Sequence, residues 1–386
     1  MQSKIILGLG FGDEGKGLVT AYHAAQKTAS LVIRFSGGHQ AGHTVCWGQQ
    51  RHVFSSFGSG TLAGRPTFWS RYCTFDPVAF WRELRALQKL GVEPVFYLDA
   101  LAPVTTPFDV QANRQSEKTN RHGSCGMGVG ATYARMEGPH KLHAGDLRED
   151  QVVRWRLTSV KQYYEDRGVS LADAEELTQL FCHAVAEILP YVKIVSARQF
   201  FRTHSFTDYI FEGSQGILLD MDHGYFPHVT RTRTTSRQAL DMIETYELPE
   251  PEVYYVTRAY QTRHGNGPLT NEHLPPNLHP TPKETNQTNE WQGPQRRSLL
   301  DLDQLQHALN IDANYCGNCT KHLVVTCLDQ LSGKLNFTHH RQVFSVDSAV
   351  HLLPRLTTQF TSCLESYSPR SAALRTRSRE EHCATI

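Results

Sequence analysis

The chain has 386 residues, 39% of them hydrophobic and 10% aromatic, which is ample for a core in one large α/β domain or two smaller ones. A formal net charge of +1 leaves no electrostatic case for nucleic acid or an anionic membrane surface, and no apolar run approaches membrane-span length. The opening residues run straight into a strand pattern with no signal-peptide layout. Nine cysteines, an odd number scattered along the chain, suggest a reducing cytoplasm rather than a disulfide framework.

Ile5-Ile6-Leu7 reads as a buried strand. Glycines follow at 8, 10, 12, 15 and 17, and a helix-compatible run occupies Leu18 to Gln26. Such a strand–turn–helix lets a ligand approach bare backbone and aims helix N–H groups at an anion. Gly10, Gly15 and Lys16 fit the phosphate loop G-x-x-x-x-G-K, but Gly17 stands where a metal-binding hydroxyl would be, so Asp13 is the oxygen donor within the loop. The same residues fit a dinucleotide fingerprint, Gly10-x-Gly12-x-x-Gly15, and so an oxidoreductase; a third reading is a bare structural turn. The fingerprint requires a carboxylate at the end of the second strand, Leu31 to Phe35, where the chain instead has Arg34 and Ser36-Gly37-Gly38. A second glycine turn, Gly37 to Thr44, also follows a strand. If the two strands are neighbours, both turns face one crevice, with His43 acting as an acid near phosphates held by the first turn.

Further along, Asp76-Pro77 suits the start of a helix running to Leu90, and Gly91 suits its stop. Val95 to Leu98 reads as a strand and Gln111 to Gly130 as a loop with its own glycine turn. Helices are expected over 149–167 and 171–189. Strands are expected at Tyr209 to Phe211, Val253 to Thr257 and Leu323 to Thr326, and a helix at Leu299 to Leu309. Residues 275–294, rich in Pro, Asn, Thr and Gln, read as a surface loop or lid. Cys316-Gly317-Asn318-Cys319 is a lone C-x-x-C, read as a surface turn rather than a zinc site. Residues 370–386, with four arginines, read as a flexible tail. Alternating strands and helices predict an α/β fold in a single unit over 1–386, with a mostly parallel central sheet flanked by helices and a P-loop-like glycine turn.

The pair GFGDEGKG and SGGHQAGHT resembles the adenylosuccinate synthetase pattern, in which a GDEGKG loop and a GGxNAGHT loop come in this order. The resemblance continues at His122 to Gly130, at Phe211 to Gly216 running into Leu218 to Gly224, at Ala259 to Pro268, and at Val325 to Asp329. It implies a C–N ligase: a nucleoside triphosphate phosphorylates O6 of a 6-oxopurine nucleotide, and the amino group of L-aspartate displaces that phosphate. It implies Asp13 as general base, with Lys16, the loop N–H groups, Mg²⁺ and His43 neutralising the transferred phosphate. The triphosphate set is Gly12, Glu14, Gly15, Lys16, Gly17, Gly42, His43, Thr44, Asp329 and Pro369, with Mg²⁺ held by Asp13 and the Gly42 carbonyl. The purine nucleotide set is Asp13, Gln40, Ser124, Cys125, Gln215 and Thr230.

Several positions depart from the family. Ser124 and Cys125 replace two threonines, and Gln40 replaces an asparagine. The four-arginine aspartate loop is reduced to Gln292-Gly293-Pro294-Gln295-Arg296-Arg297-Ser298, leaving Arg296 and Arg297 for the aspartate carboxylates. Thr326-Cys327-Leu328-Asp329 keeps the base-reading aspartate but loses a lysine, so GTP is the first expectation and ATP the second. The missing four-arginine loop is a feature of the phage enzymes that add aspartate to dGMP, although Asp13 stands where those have serine. IMP or dIMP is therefore the expected acceptor, dGMP or GMP the alternative, and an inactive nucleotide-binding paralogue the third reading. The family also implies a homodimer, with Arg135 the nearest candidate to reach a partner's nucleotide.

Overall fold

The computed structural model describes residues 1–120, 123–280, 291, 293–370 and 373–378. In chain order the elements are β1 (Gln2–Gly8), α1 (Lys16–Gln26), β2 (Ser30–Arg34), β3 (His43–Trp47), β4 (Gln50–Phe54), β5 (Thr67–Trp69), α2 (Pro77–Lys89), β6 (Phe96–Asp99), α3 (Pro107–Asn120), α4 (Val129–Met136), α5 (Asp150–Glu165), α6 (Ala174–Ile188), β7 (Val192–Val195), α7 (Ala197–Thr203) and β8 (Asp208–Glu212). There follow α8 (Arg237–Thr245), β9 (Pro251–Arg258), β10 (Tyr260–Arg263), β11 (Arg296–Asp301), α9 (Leu302–Ala313), β12 (Thr320–Thr326), β13 (Leu335–His339), β14 (Gln342–Val346), β15 (Ser362–Ser366) and β16 (Leu374–Ser378).

Ten strands form one sheet in the order β16-β15-β12-β9-β1-β8-β2-β5-β6-β7. Every neighbouring pair is parallel except β15–β16, which is antiparallel. Parallel strands are covered on both faces and so read as continuous apolar runs. Alternation decides which face each residue takes. Ile5 and Leu7 join Phe211, Tyr255 and Leu323 on one side, while Ile6 joins Val19 of α1, Ile210, Val256 and Val324 on the other. A second sheet, β10-β11-β13-β14, and the β3–β4 hairpin stand beside it.

The start of α2 is capped as expected: Asp76 accepts hydrogen bonds from the Val78 and Ala79 N–H groups at 2.8 and 3.0 Å. Four expectations change. The first half of the stretch expected to be a loop at Gln111 to Gly130 belongs to helix α3, started by a reciprocal cap in which the Thr106 N–H donates to the Asp109 carboxylate and the Asp109 N–H to the Thr106 hydroxyl. Residues 299–301 belong to β11, because Asp301 caps α9 and delays its start. Cys316 and Cys319 are joined in a disulfide across the exposed Gly317-Asn318 bend, with Cys316 packed into the main core. Leu374–Ser378 is an edge strand on β15, so this part of the expected tail is ordered. Most of the 275–294 stretch and the tail after 378 lie outside the described residues.

Candidate active site

β1 and β2 are not neighbours. β8 runs between them, paired with both, so that Ile6 and Arg34 flank Glu212. The carboxyl ends of all three strands open on the crevice side, the usual ligand position in open α/β sheets, and the third end supplies an acid, Glu212, that backs the second turn.

After β1, the loop is braced from inside by Glu14. Its carboxylate accepts the Gly10 and Gly12 N–H groups at 3.0 and 2.8 Å and pairs with the Lys16 ammonium at 2.5 Å. Gly8 leaves the space this carboxylate fills; a Cβ there would sit 2.2 Å from Glu14 Oε2. The Glu14 side chain is buried and is not part of the cavity wall. With Glu14 satisfied inside, Asp13 is turned outward in a left-handed conformation, φ 64°. Its carbonyl receives the Arg258 Nε–H at 2.6 Å, and its carboxylate lies 3.3 Å from His264 Nε2. Burial works to raise the Asp13 pKa, but the His264 hydrogen bond and the charges of Arg258 and Lys16 outweigh it and hold the carboxyl below its ordinary value.

Gly17, which occupies the hydroxyl position of a phosphate loop, is explained by packing: a Cβ there would approach His43 Cβ to 2.7 Å. The start of α1 therefore lies directly against the second turn. His43 Nδ1 is 2.7 Å from the Glu212 carboxylate. Ser59 donates to the same carboxylate from its N–H, at 3.0 Å, and from its hydroxyl. Burial acts to raise the Glu212 pKa, but His43, the fully buried Arg34 and Ser59 prevail and bring it down to about 2. An ionised Glu212 makes Nδ1 the donor and leaves Nε2 of His43 free for the cavity. Burial lowers the His43 pKa, with Glu212 opposing. Arg34 donates to the Phe57 carbonyl at 3.2 Å and lies over Trp69, 5.1 Å from the ring centre. Wholly buried, it has no route to a dinucleotide phosphate.

Asp13 and His43 face one cavity of about 2120 Å³. Its wall also includes Gly12, Gly15, Lys16, Gly17, Gln40, Gly42, Thr44, Ser124, Cys125, Gln215, Thr230, Asp329 and Pro369, so of the expected phosphate and purine residues only Glu14 stands behind it. Both polar ends of the Gln40 amide are buried without a hydrogen-bond partner among the described residues, as expected of groups shaped for a ligand. Asp13, Gln215 and Cys327, all on the wall, have φ of 64°, 57° and 61°. Side chains other than glycine rarely adopt this conformation, at about 1–3 kcal/mol each, and it clusters at functional sites. The Ser124 hydroxyl accepts from the Asn113 amide at 2.9 Å, and burial pushes the Cys125 thiol up to about 11, keeping it a neutral, weak donor.

The aspartate set is not brought to this wall. Arg296 donates to the Gly265 and Gly267 carbonyls at 2.9 and 2.8 Å and pairs with Glu272, while Arg297 reaches Gln295. The register that opposes Arg296 to Arg263 turns it onto the back of the 263–267 bend. Arg135 is fully buried, bound to Asp109 at 2.8 Å and to the Val104 and His140 carbonyls, so it is a core ion pair and cannot extend to a second subunit.

Ser59, Glu212, Arg258 and His264 are site residues that motif reading missed. Glu212 did carry a signal, an acid closing an apolar strand immediately before a glycine turn. His264, one of twenty histidines, carried none.

The adenylosuccinate synthetase family model matches residues 5–365. The chain belongs to the adenylosuccinate synthetase family. Members of this family are ligases that form a C–N bond. The chain is 28% identical over 335 residues to the adenylosuccinate synthetase of Helicobacter pylori, covering 85% of this chain and 79% of that one. Against the Halobacterium salinarum enzyme it is 28% identical over 382 residues, covering 93% and 84%. The fold matches the fully ligated adenylosuccinate synthetase of Plasmodium falciparum, with TM-score 0.77 at 17% identity over 97% of this chain and 99% of that one. It also matches the cyanophage S-2L succinoaminodeoxyadenylate synthetase bound to dGMP and dATP, with TM-score 0.64 at 16% identity over 99% and 97%. Among the described residues no helix is long and apolar enough to cross a membrane.

Proposed function

We propose that this ligase joins L-aspartate to C6 of a 6-oxopurine nucleoside monophosphate, IMP or dIMP, using GTP and Mg²⁺. The reading rests on one observation: an outward-facing carboxylate and a carboxylate-backed imidazole share a cavity with an unpaired amide. In the proposed sequence, Asp13 takes the proton from purine N1 and O6 becomes the nucleophile. O6 bonds to the γ-phosphorus and the bond to the nucleoside diphosphate breaks. The aspartate amine then bonds to C6, its surplus proton leaves, and phosphate departs with O6. His43 Nε2 serves the transferred phosphate. Polyphosphate charge beside the ring opposes the lowering caused by burial, so the imidazole becomes a better proton donor when substrate is present. Gln40 and Gln215 serve the purine edge, Ser124, Cys125 and Thr230 the remainder of the monophosphate, and Asp329 and Pro369 the triphosphate base.

The oxygen donors fit Mg²⁺: the Asp13 carboxylate and the Gly42 carbonyl are hard ligands on one wall, leaving other positions to phosphate and water oxygens. When bound, the ion supplies positive charge to the phosphates. Arg297 is retained as the proposed aspartate residue on family resemblance alone, whereas Arg296, held by the Gly265 and Gly267 carbonyls, is assigned to the scaffold; homodimer formation is proposed on the same resemblance. The second reading, the same chemistry on dGMP with ATP as donor, draws on the reduced arginine loop and on the fold shared with the cyanophage enzyme.

Phosphate release with aspartate present, measured over IMP, dIMP, GMP and dGMP with GTP or ATP, tests both readings. Turnover confined to dGMP or GMP replaces the first with the second. Absence of release in every combination overturns the ligase proposal for this chain.

A further inference from the structure

At the opposite end of β11 from its paired arginines, three metal-type donors meet. β13 and β14 pair with His339 opposite Gln342, which makes His340 and Arg341 a two-residue hairpin turn. Both turn residues have positive φ, 51° and 64°, the geometry of the tight turn that follows strand twist. This turn lays two imidazoles side by side, ring centres 3.9 Å apart, beside Asp303 in the first turn of α9.

The Asp303 carboxylate is fixed at one end, where Oδ2 accepts the His340 N–H at 2.8 Å. Its Oδ1 lies 3.4 Å from Nδ1 of His339 and 3.4 Å from Nδ1 of His340. One oxygen thus faces two ring nitrogens at a separation long for a hydrogen bond, and the buried His339 Nδ1 has no hydrogen-bond partner among the described residues. These separations are within ion-pair reach of the carboxylate, and they are also the spacing of coordinating atoms: ligands about 2.1 Å from a tetrahedral ion stand roughly 3.4 Å from one another. All three donor atoms lie within 4.8 Å of each other. The N-terminal turn of α9 alone would favour an anion, but Asp303 reverses the local sign. His307, one turn further along α9, faces Tyr225 and takes no part.

We propose that Asp303, His339 and His340 bind a borderline divalent cation of the Zn²⁺, Co²⁺ or Ni²⁺ class, separate from the Mg²⁺ of the reaction. Two imidazoles and one carboxylate, with no thiolate, suit these ions and not Mg²⁺. A bound ion ties the β13–β14 turn to the start of α9, the helix entered directly from β11.

Zn²⁺ titration by calorimetry of the full chain, in excess Mg²⁺, is expected to show one equivalent of tight binding. Co²⁺ in its place is expected to give the visible absorption of a four-coordinate ion. Both signals are lost in the H339A/H340A double variant and in D303N, the second variant covering any failure of the first to fold. Both persist in C316S/C319S, which removes the cysteine pair that would compete as thiolates on reduction of its disulfide. Unchanged stoichiometry in D303N, or loss of binding in C316S/C319S, overturns the assignment. Turnover without added transition metal stays at the wild-type level in all three variants.

Discussion

The two walls of the crevice use charge in opposite ways. On the wall built from β1, β8 and β2, each buried acid has its partners beneath the surface: Glu14 with Lys16 and two backbone N–H groups, Glu212 with Ser59, Arg34 and His43. Each arrangement leaves one functional atom facing outward. On the side built from β9, β10 and β11, arginines are engaged by backbone carbonyls: on the cavity wall Arg258 by Asp13 and Arg263 by Asn266, Pro268 and His228, and behind it Arg296 by Gly265 and Gly267. The first wall is prepared for chemistry before substrate arrives; the second is a scaffold that sets the shape of the loops. Arginines counted along a sequence therefore overstate the number available to bind carboxylates.

The largest test of this contrast is Asp13→Ala, expected to lower kcat about 10³-fold with the fold intact by circular dichroism. Activity retained within tenfold removes the general-base role. Glu212→Gln keeps the shape but not the charge, and is expected to reduce kcat about 100-fold with the KM values little changed, because His43 loses its orienting acceptor. The same variant probes acid stability. Glu212 has its pKa depressed from 4.5 to about 2 on folding, so its contribution is present above about 4.5 and is lost as pH falls toward 2. Unfolding followed over that interval should show a shallower pH dependence in Glu212→Gln; an identical slope breaks the account of the dyad.

Gly17→Ala addresses packing within the first wall. A methyl group 2.7 Å from His43 Cβ forces α1 and the second turn apart, at about 1–3 kcal/mol by denaturant unfolding. A neutral result means the two turns are not in firm contact. The smallest expected effect separates the two arginines of β11 behind the second wall. Arg297→Ala should raise KM for aspartate roughly tenfold, as for loss of a charged hydrogen bond, whereas Arg296→Ala should lower thermal stability without a selective change in that KM. The reverse pattern would exchange scaffold and ligand roles.

Much of the phosphate side was legible in the chain, because its signals are local. Glycines at fixed offsets after an apolar strand, an acid and a lysine between them, and a histidine in the second turn all lie within residues 8–44. What stayed hidden depends on distant pairing. The insertion of β8 between β1 and β2 has no local mark, so Glu212 was seen only as part of a motif and the two turns were expected on adjacent strands. Arg135 reads as a surface cation until Asp109, 26 residues earlier, is found against it. Helix α3 was missed because its residues are largely polar and its Thr106–Asp109 cap was not recognised.

The position of β8 also bears on how the chain is made. Ser36 and Ser214, buried and bonded to each other just past the ends of β2 and β8, are 178 residues apart. The first two strands leave the ribosome early, yet neither has its shared neighbour until residue 212 follows. Until then their long edges stay open to wrong partners, and sheet closure waits on a contact of high sequence separation, the kind that slows folding. Nascent chains halted before β8 should accordingly be protease-sensitive throughout their N-terminal segment, and those extended past it should not.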